Sequence, residues 1–154
     1  MTVGAIALVV VFQPELRRAL EYVGRSKLVK APFGQVDKEK AKAITDEFVK
    51  AVSACSSTKT GALIVLERET SLTEIAESGT EINADISAQL IGNIFYEGAP
   101  LHDGAVIIRG DKVYAAGCVL PLTDNKNLNK SLGTRHRAGI GITEHSDAIS
   151  LIVS

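Results

Sequence analysis

Positive charge is in short supply here: 17 lysines and arginines stand against 18 aspartates and glutamates, a formal net charge of -1. With a pI near 6.3, the chain lacks the broad basic field that gives sequence-blind affinity for nucleic acid. Any anion it binds must be held by a local cluster. Cysteine is scarcer still. Cys55 and Cys118 lie far apart and form no CxxC pair, which argues against a zinc site and thioredoxin-like chemistry and reads as two buried, reduced thiols of a cytosolic protein. Known phosphate fingerprints are missing too. No GxxxxGKS or GxxxxGKT occurs, and AGIGITE offers only GxG with no strand before it, so a P-loop and a Rossmann fingerprint are both unsupported. Long apolar runs are lacking as well: VGAIALVVVF, residues 3–12, falls well short of the roughly 20 residues of a membrane span. It continues without a small-residue cleavage site into FQPELRRALEYVG, where Pro14 and Glu15 suit a first helical turn and Gly24 a C-terminal cap. A core helix, or the tail of a deleted membrane segment, is the expectation for that stretch. There is no internal repeat and no low-complexity segment.

What the sequence does contain is enough apolar material, 45% of 154 residues, for one sizeable core, and a second domain would be cramped. Asp37 is expected to cap a helix whose Ala41, Ile44, Phe48 and Val52 recur at three- and four-residue steps. GALIVLER (61–68) reads as a strand, and SLTE (71–74) has the spacing of a capping box that opens a short helix. SAQLIGNIFYE (87–97) gives a second amphipathic helix. AVIIR and KVYAAGCVLPL then form two strands joined at Gly110-Asp111. TDNKNLNKSLG (123–133) is a polar loop, TRHRAGIGITEHSDA a helix despite Gly139 and Gly141, and ISLIVS a terminal strand. Strands and helices alternate, which predicts an α/β fold with a central mixed sheet flanked by helices.

Two places concentrate the chemistry. PLHDGAVII puts His102 and Asp103 at a loop-to-strand junction, and the Asp-Gly pair there is not needed for a hairpin. Gly104 would let a ligand approach the backbone. A carboxylate beside an imidazole suits a divalent cation carrying nucleotide phosphates, and the carboxylate can accept a proton from a sugar hydroxyl. Taken alone, such a pair at a strand start is structural more often than functional. In GTRHR (133–137), Thr134 follows a glycine at a predicted helix start, so backbone N–H groups, a hydroxyl and two guanidinium groups can converge on an anion. By itself this segment also reads as a solvated basic turn.

Together, DGA at 103–105 and RHR at 135–137, separated by a strand hairpin and a polar loop, resemble the diadenylate cyclase (DAC) domain, which makes cyclic di-AMP from two ATP. The resemblance runs from FQPELRRALEYVGR through PLHDGAVII, VLPLT and GTRHRAGIGITEHSDA to the terminal strand, nearly the whole chain. FQPELRRALE is similar to the membrane-anchored CdaA/DacA type rather than to cyclases with a C-terminal DNA-binding region.

The resemblance implies a DAC fold over residues 1–154, the soluble catalytic part of a protein whose transmembrane helices hold it at the cytoplasmic face of the membrane. Asp103, Arg135, His136 and Arg137 would be catalytic, with Asp103 near the ribose 3′-OH. His102 and Asp103 would hold Mn²⁺ or Mg²⁺, with Co²⁺ a further candidate. Gly104, Ala105, Leu120, Gly133, Thr134, Arg135 and Ser154 would bind the nucleotide, Leu120 through its backbone to adenine. Gly139 stands where the family commonly has alanine. A head-to-head homodimer would bring two ATP together, and a YbbR-domain membrane regulator and phosphoglucosamine mutase would be partners. Two other classes remain: a non-catalytic adenine-nucleotide-sensing module, and a metal-dependent phosphohydrolase, which more carboxylates and histidines would favour.

Overall fold

ALIVL and AVIIR contain no polar residue before the final arginine, the composition of strands covered on both faces. In the computed structural model, which describes Lys38–Ser154, they are β1 (Ala62–Leu66) and β3 (Ala105–Arg109), paired in parallel with Ile64 beside Val106 and Leu66 beside Ile108. Three further strands, β2 (Thr80–Asp85), β4 (Lys112–Cys118) and β5 (Ile149–Val153), complete one five-stranded sheet in the order β2-β4-β3-β1-β5, all joined antiparallel. The expected mixed sheet is thus present. The apolar N-terminal stretch and the expected Asp37 cap lie outside the described residues.

Side chains alternate across the sheet with period two and divide the core in two. Ile64, Val106 and Ile108 face α1 (Lys38–Ser57) and α3 (Ala88–Phe95), whereas Leu63, Val65, Ala105 and Ile107 face α2 (Thr73–Ala76) and α4 (Thr134–His145). On α1 the expected stripe is displaced by a few residues: Ala41 is exposed, while Ala51 and Cys55 are buried beside Ile44, Phe48 and Val52. Ser87 caps α3 by accepting from Leu90 N at 3.1 Å, and Glu47 of α1 accepts from Ala88 N at 2.8 Å. That backbone N–H, followed by Lys50, holds the Glu47 carboxyl below its usual range.

Four expectations need correction. SLTE does not form a capping box, because Glu67 rather than Glu74 supplies the acceptor at this turn, taking Leu72 N at 2.8 Å. Strand β2 was not anticipated. Its TEINAD sequence keeps little but Ile82 and Ala84 for the core and carries a bulge at Asn83, φ +50°, as sheet edges tolerate. Strand β4 stops at Cys118 instead of Leu122, since Gly117 turns to φ +66° and the chain leaves the sheet. Helix α4 ends at His145, where the Ser146 hydroxyl donates to Ile142 O at 2.8 Å and its backbone becomes extended.

The segment after β4 is stitched onto α4. Thr123 N donates to Arg137 O at 3.1 Å and its hydroxyl to Glu144 Oε1 at 2.7 Å, with Pro121 lying on Gly141. A Cβ at Gly141 would overlap the Pro121 carbonyl, a backbone group that cannot swing away, whereas one at Gly139 would meet only Ser150 Oγ at 2.6 Å and the end of Ile152. The two glycines of AGIG therefore differ in kind. Gly141→Ala is expected to cost about 1–3 kcal/mol in urea unfolding through overpacking. Gly139→Ala is expected to stay within about 1 kcal/mol of wild type, because helix propensity recovers what side-chain displacement loses.

Candidate active site

Both parallel strands begin at one edge of the sheet, and β4 and β5 end there. The chain between Leu101 and β3 turns at Gly104, φ +112°, where a Cβ would meet Cys118 O at 2.8 Å. Gly104 is therefore needed first for the crossing of two backbones. Beside this crossing opens a cleft of about 860 Å³. Leu63 and Leu120 from the core, together with Val119 and Leu122, which are 69% and 50% exposed, give it one apolar wall. The other wall is the start of α4, where Gly133 as N-cap brings no side chain, leaving first-turn N–H groups for an anion.

Arg135 lies across this wall with its guanidinium against Gly61. Among the described residues it has no carboxylate partner, and its Nε is buried without a hydrogen-bond partner. Such a group is unusual in a folded chain and fits an anion between it and the helix terminus. Asp103 is exposed on the same cleft, also without an ion pair among the described residues. Burial raises the Cys118 thiol to about 11, so this wall is a neutral, apolar surface and not a thiolate nucleophile.

Of the residues expected from sequence, Asp103, Gly104, Leu120, Gly133, Thr134, Arg135, His136 and Ser154 line this one cleft. His102, Ala105 and Arg137 do not. Ala105 is fully buried in β3. Arg137 sits two residues beyond Arg135 on α4, and side chains so spaced leave a helix in nearly opposite directions. It faces a smaller groove with Thr123, Lys126 and Lys130. His102 Nδ1 lies 2.6 Å from the Ala99 carbonyl, an acceptor, so in the neutral ring Nδ1 bears the hydrogen and Nε2 the lone pair a metal requires. No group of three histidines, cysteines or carboxylates able to cage a metal exists among the described residues. A divalent cation would fit here only as Mg²⁺-like ions are usually bound, by one or two protein donors and substrate phosphates.

Residues 49–154 match the family model described as DAC, DisA bacterial checkpoint controller nucleotide-binding. The chain belongs to the DAC family. Cyclic di-AMP synthase CdaA of Bacillus subtilis is 42% identical over all 154 residues, and a diadenylate cyclase of Listeria monocytogenes 43%. The chain spans 56% of the length of each of these relatives. A crystal structure of a double cysteine mutant of DacA from Staphylococcus aureus superposes with a TM-score of 0.74 at 45% identity, covering 75% of this chain and 77% of that one. A hypothetical membrane spanning protein from Bacillus cereus gives 0.69 at 44%, covering 71% of this chain and 54% of that one. Among the described residues, no helix is long and apolar enough to cross a membrane.

Several cleft residues of this DAC chain escaped the sequence reading: Lys59, Val119, Leu122 and Ser131. Apolar residues after a strand read as more strand, and the one usable signal was Pro121, which cannot continue a ladder. The seat of Arg135 yields a test. A Cβ at Gly61 would overlap its Nη1, the mobile end of a side chain, so Gly61→Ala should displace the guanidinium without unfolding the protein. Calorimetry with inorganic triphosphate should show Gly61→Ala weakened by about as much as Arg135→Ala, about 1.5–3 kcal/mol, with unfolding midpoints close to wild type.

Proposed function

We propose that this chain is a diadenylate cyclase, condensing two ATP into cyclic di-AMP with loss of two pyrophosphates. The observation that carries the reading is the shared cleft: an unpaired carboxylate, Asp103, opens onto the same space as an unpaired guanidinium, Arg135, and the N-terminus of α4. An amphipathic ligand of nucleotide type matches a cleft with one apolar wall and one cationic wall. Adenine would lie against Leu120, Val119 and Leu122, and the phosphates toward Thr134 and Arg135. Asp103 would accept the proton of a 3′-OH as that oxygen bonds to the α-phosphorus of a second ATP and the bond to the β-phosphate oxygen breaks. Arg135 and the α4 N–H groups would stabilise charge on the transferring group.

A divalent ion, Mn²⁺, Mg²⁺ or Co²⁺, held by Asp103, His102 Nε2 and phosphate oxygens, would supply charge neutralisation when bound. Asp103 lines the cleft and is exposed, which suits a reacting nucleotide presented by a facing copy. Two such copies head to head would form both bonds. His136 also lines the cleft, while Arg137, directed elsewhere, would act only through the helix. The resemblance extends the proposal to the cytoplasmic face of the membrane, a YbbR-domain regulator and phosphoglucosamine mutase.

Incubation with ATP and Mn²⁺ or Mg²⁺ should yield a product with the mass of cyclic di-AMP; unchanged ATP, or ADP and AMP, would contradict the reading. Asp103→Asn should keep ATP affinity within about two-fold and lose at least about 10²-fold in turnover, the usual worth of a general base. A doubly tagged heterodimer of wild type and Asp103→Asn has one competent 3′-OH and two α-phosphates. It should accumulate the linear pppApA, whereas a site complete within one protomer would give the cyclic product at half rate.

A further inference from the structure

Lys59 occupies a backbone position at which lysine is a poor choice. After α1, Thr60 N donates to Cys55 O at 2.8 Å and Lys59 N to Ser56 O at 3.2 Å, the paired bonds of a Schellman motif. Its left-handed residue, ordinarily glycine, is Lys59 with φ +55°. The side chain lines the cleft next to Gly61, on which the Arg135 guanidinium lies. Asp103, in the segment that enters β3, lines the same cleft. Lys59, Arg135 and Asp103 thus gather at one strand edge, yet none forms an ion pair with another described residue. Charges of both signs thus line one cleft without taking one another up, which leaves them for a ligand in it.

We infer that Lys59 binds the β- and γ-phosphates of the triphosphate nucleotide, holding the tail that departs as pyrophosphate. This rests on the adenylyl-transfer reading above and adds a residue to it. The carboxylate of Asp103 repels the most highly charged part of the ligand, so the tail belongs with the two cations, while the 3′-OH and α-phosphate lie nearer the carboxylate. A lysine suits that role, as a mobile point charge that follows a leaving group. The contact is made by the substrate and is absent from the cyclic product, which has no terminal phosphates. Lys59 would therefore favour ATP over product in the same cleft.

Lys59→Gly separates the structural role from the ligand role, because glycine is the residue the motif prefers. Its melting temperature should equal or exceed that of wild type. Binding is read by calorimetry with 3′-deoxy-ATP, which cannot react, and with AMP. Lys59→Gly should bind 3′-deoxy-ATP about ten-fold more weakly and AMP within about two-fold of wild type, while Lys59→Arg recovers most of the loss. Unchanged affinity for 3′-deoxy-ATP in Lys59→Gly, or an equal loss for both nucleotides, overturns the assignment. A wild-type chain that binds neither nucleotide overturns this inference together with the proposed function, whereas normal cyclase activity with an unaffected Lys59→Gly variant overturns this inference alone.

Discussion

The parallel pairing of β1 with β3 is the constraint on which the rest depends. Two strands buried on both faces must be apolar throughout, and their parallel run brings the segments that enter them, with Gly61 and Asp103, to one end of the sheet and one cleft. In a doubly wound sheet ligands gather at the carboxyl ends of parallel strands. Here the cleft opens at the amino ends, where β4 and β5, antiparallel beside that pair, finish with Cys118 and Val153. Helix α4, lying against β5 and β1, then begins at the same edge and turns its N-terminus into the cleft.

What holds α4 in place also shapes the apolar wall. Once β4 leaves the sheet at Gly117, the chain from Val119 to Thr123 has no ladder partners, and its polar groups must be satisfied otherwise. Thr123, buried, does this through Glu144 and the Arg137 carbonyl, and Pro121 settles on Gly141. The same contacts leave Val119 and Leu122 facing solvent at the cleft rim. Their exposure follows from anchoring the residues on either side of them.

Much of this was legible from the residues. ALIVL, AVIIR and the Gly110-Asp111 turn announced themselves by apolar continuity and turn chemistry, and DGA and GTRHR each contribute residues to one cleft. Strand β2 was not legible, since an edge strand with a bulge keeps too few apolar positions to show period two. The placement of Arg137 was not legible because RHR reads as one cluster in sequence, while helix geometry sends its two arginines to different grooves. Lys59 was hidden for the opposite reason. Nothing in STKTG marks a left-handed lysine, since that conformation is imposed by the end of α1 and the start of β1.

The two ends of the central strands show how stability and function divide the charges. At the carboxyl end, Arg109 of β3 grips Glu67 with Nε and Nη2 at 2.8 and 2.9 Å, lies 3.7 Å over the Tyr114 ring and reaches Thr73, while Glu67 also takes Leu72 N. That hydrogen bond to Glu67 raises the Arg109 pKa further above its ordinary value. Nearby, Asp147 accepts from Glu69 N and Thr70 N, which lowers its carboxyl and fastens the loop after β1 to the start of β5. The Arg109–Glu67 pair and the Asp147 carboxylate thus hold these loops in a single arrangement around α2. At the amino end Asp103, Arg135 and Lys59 have no ion-pair partner among the described residues, and a lysine stands where glycine would be less strained. Unpaired, they suit the proposed ligand, which brings both a hydroxyl and phosphates.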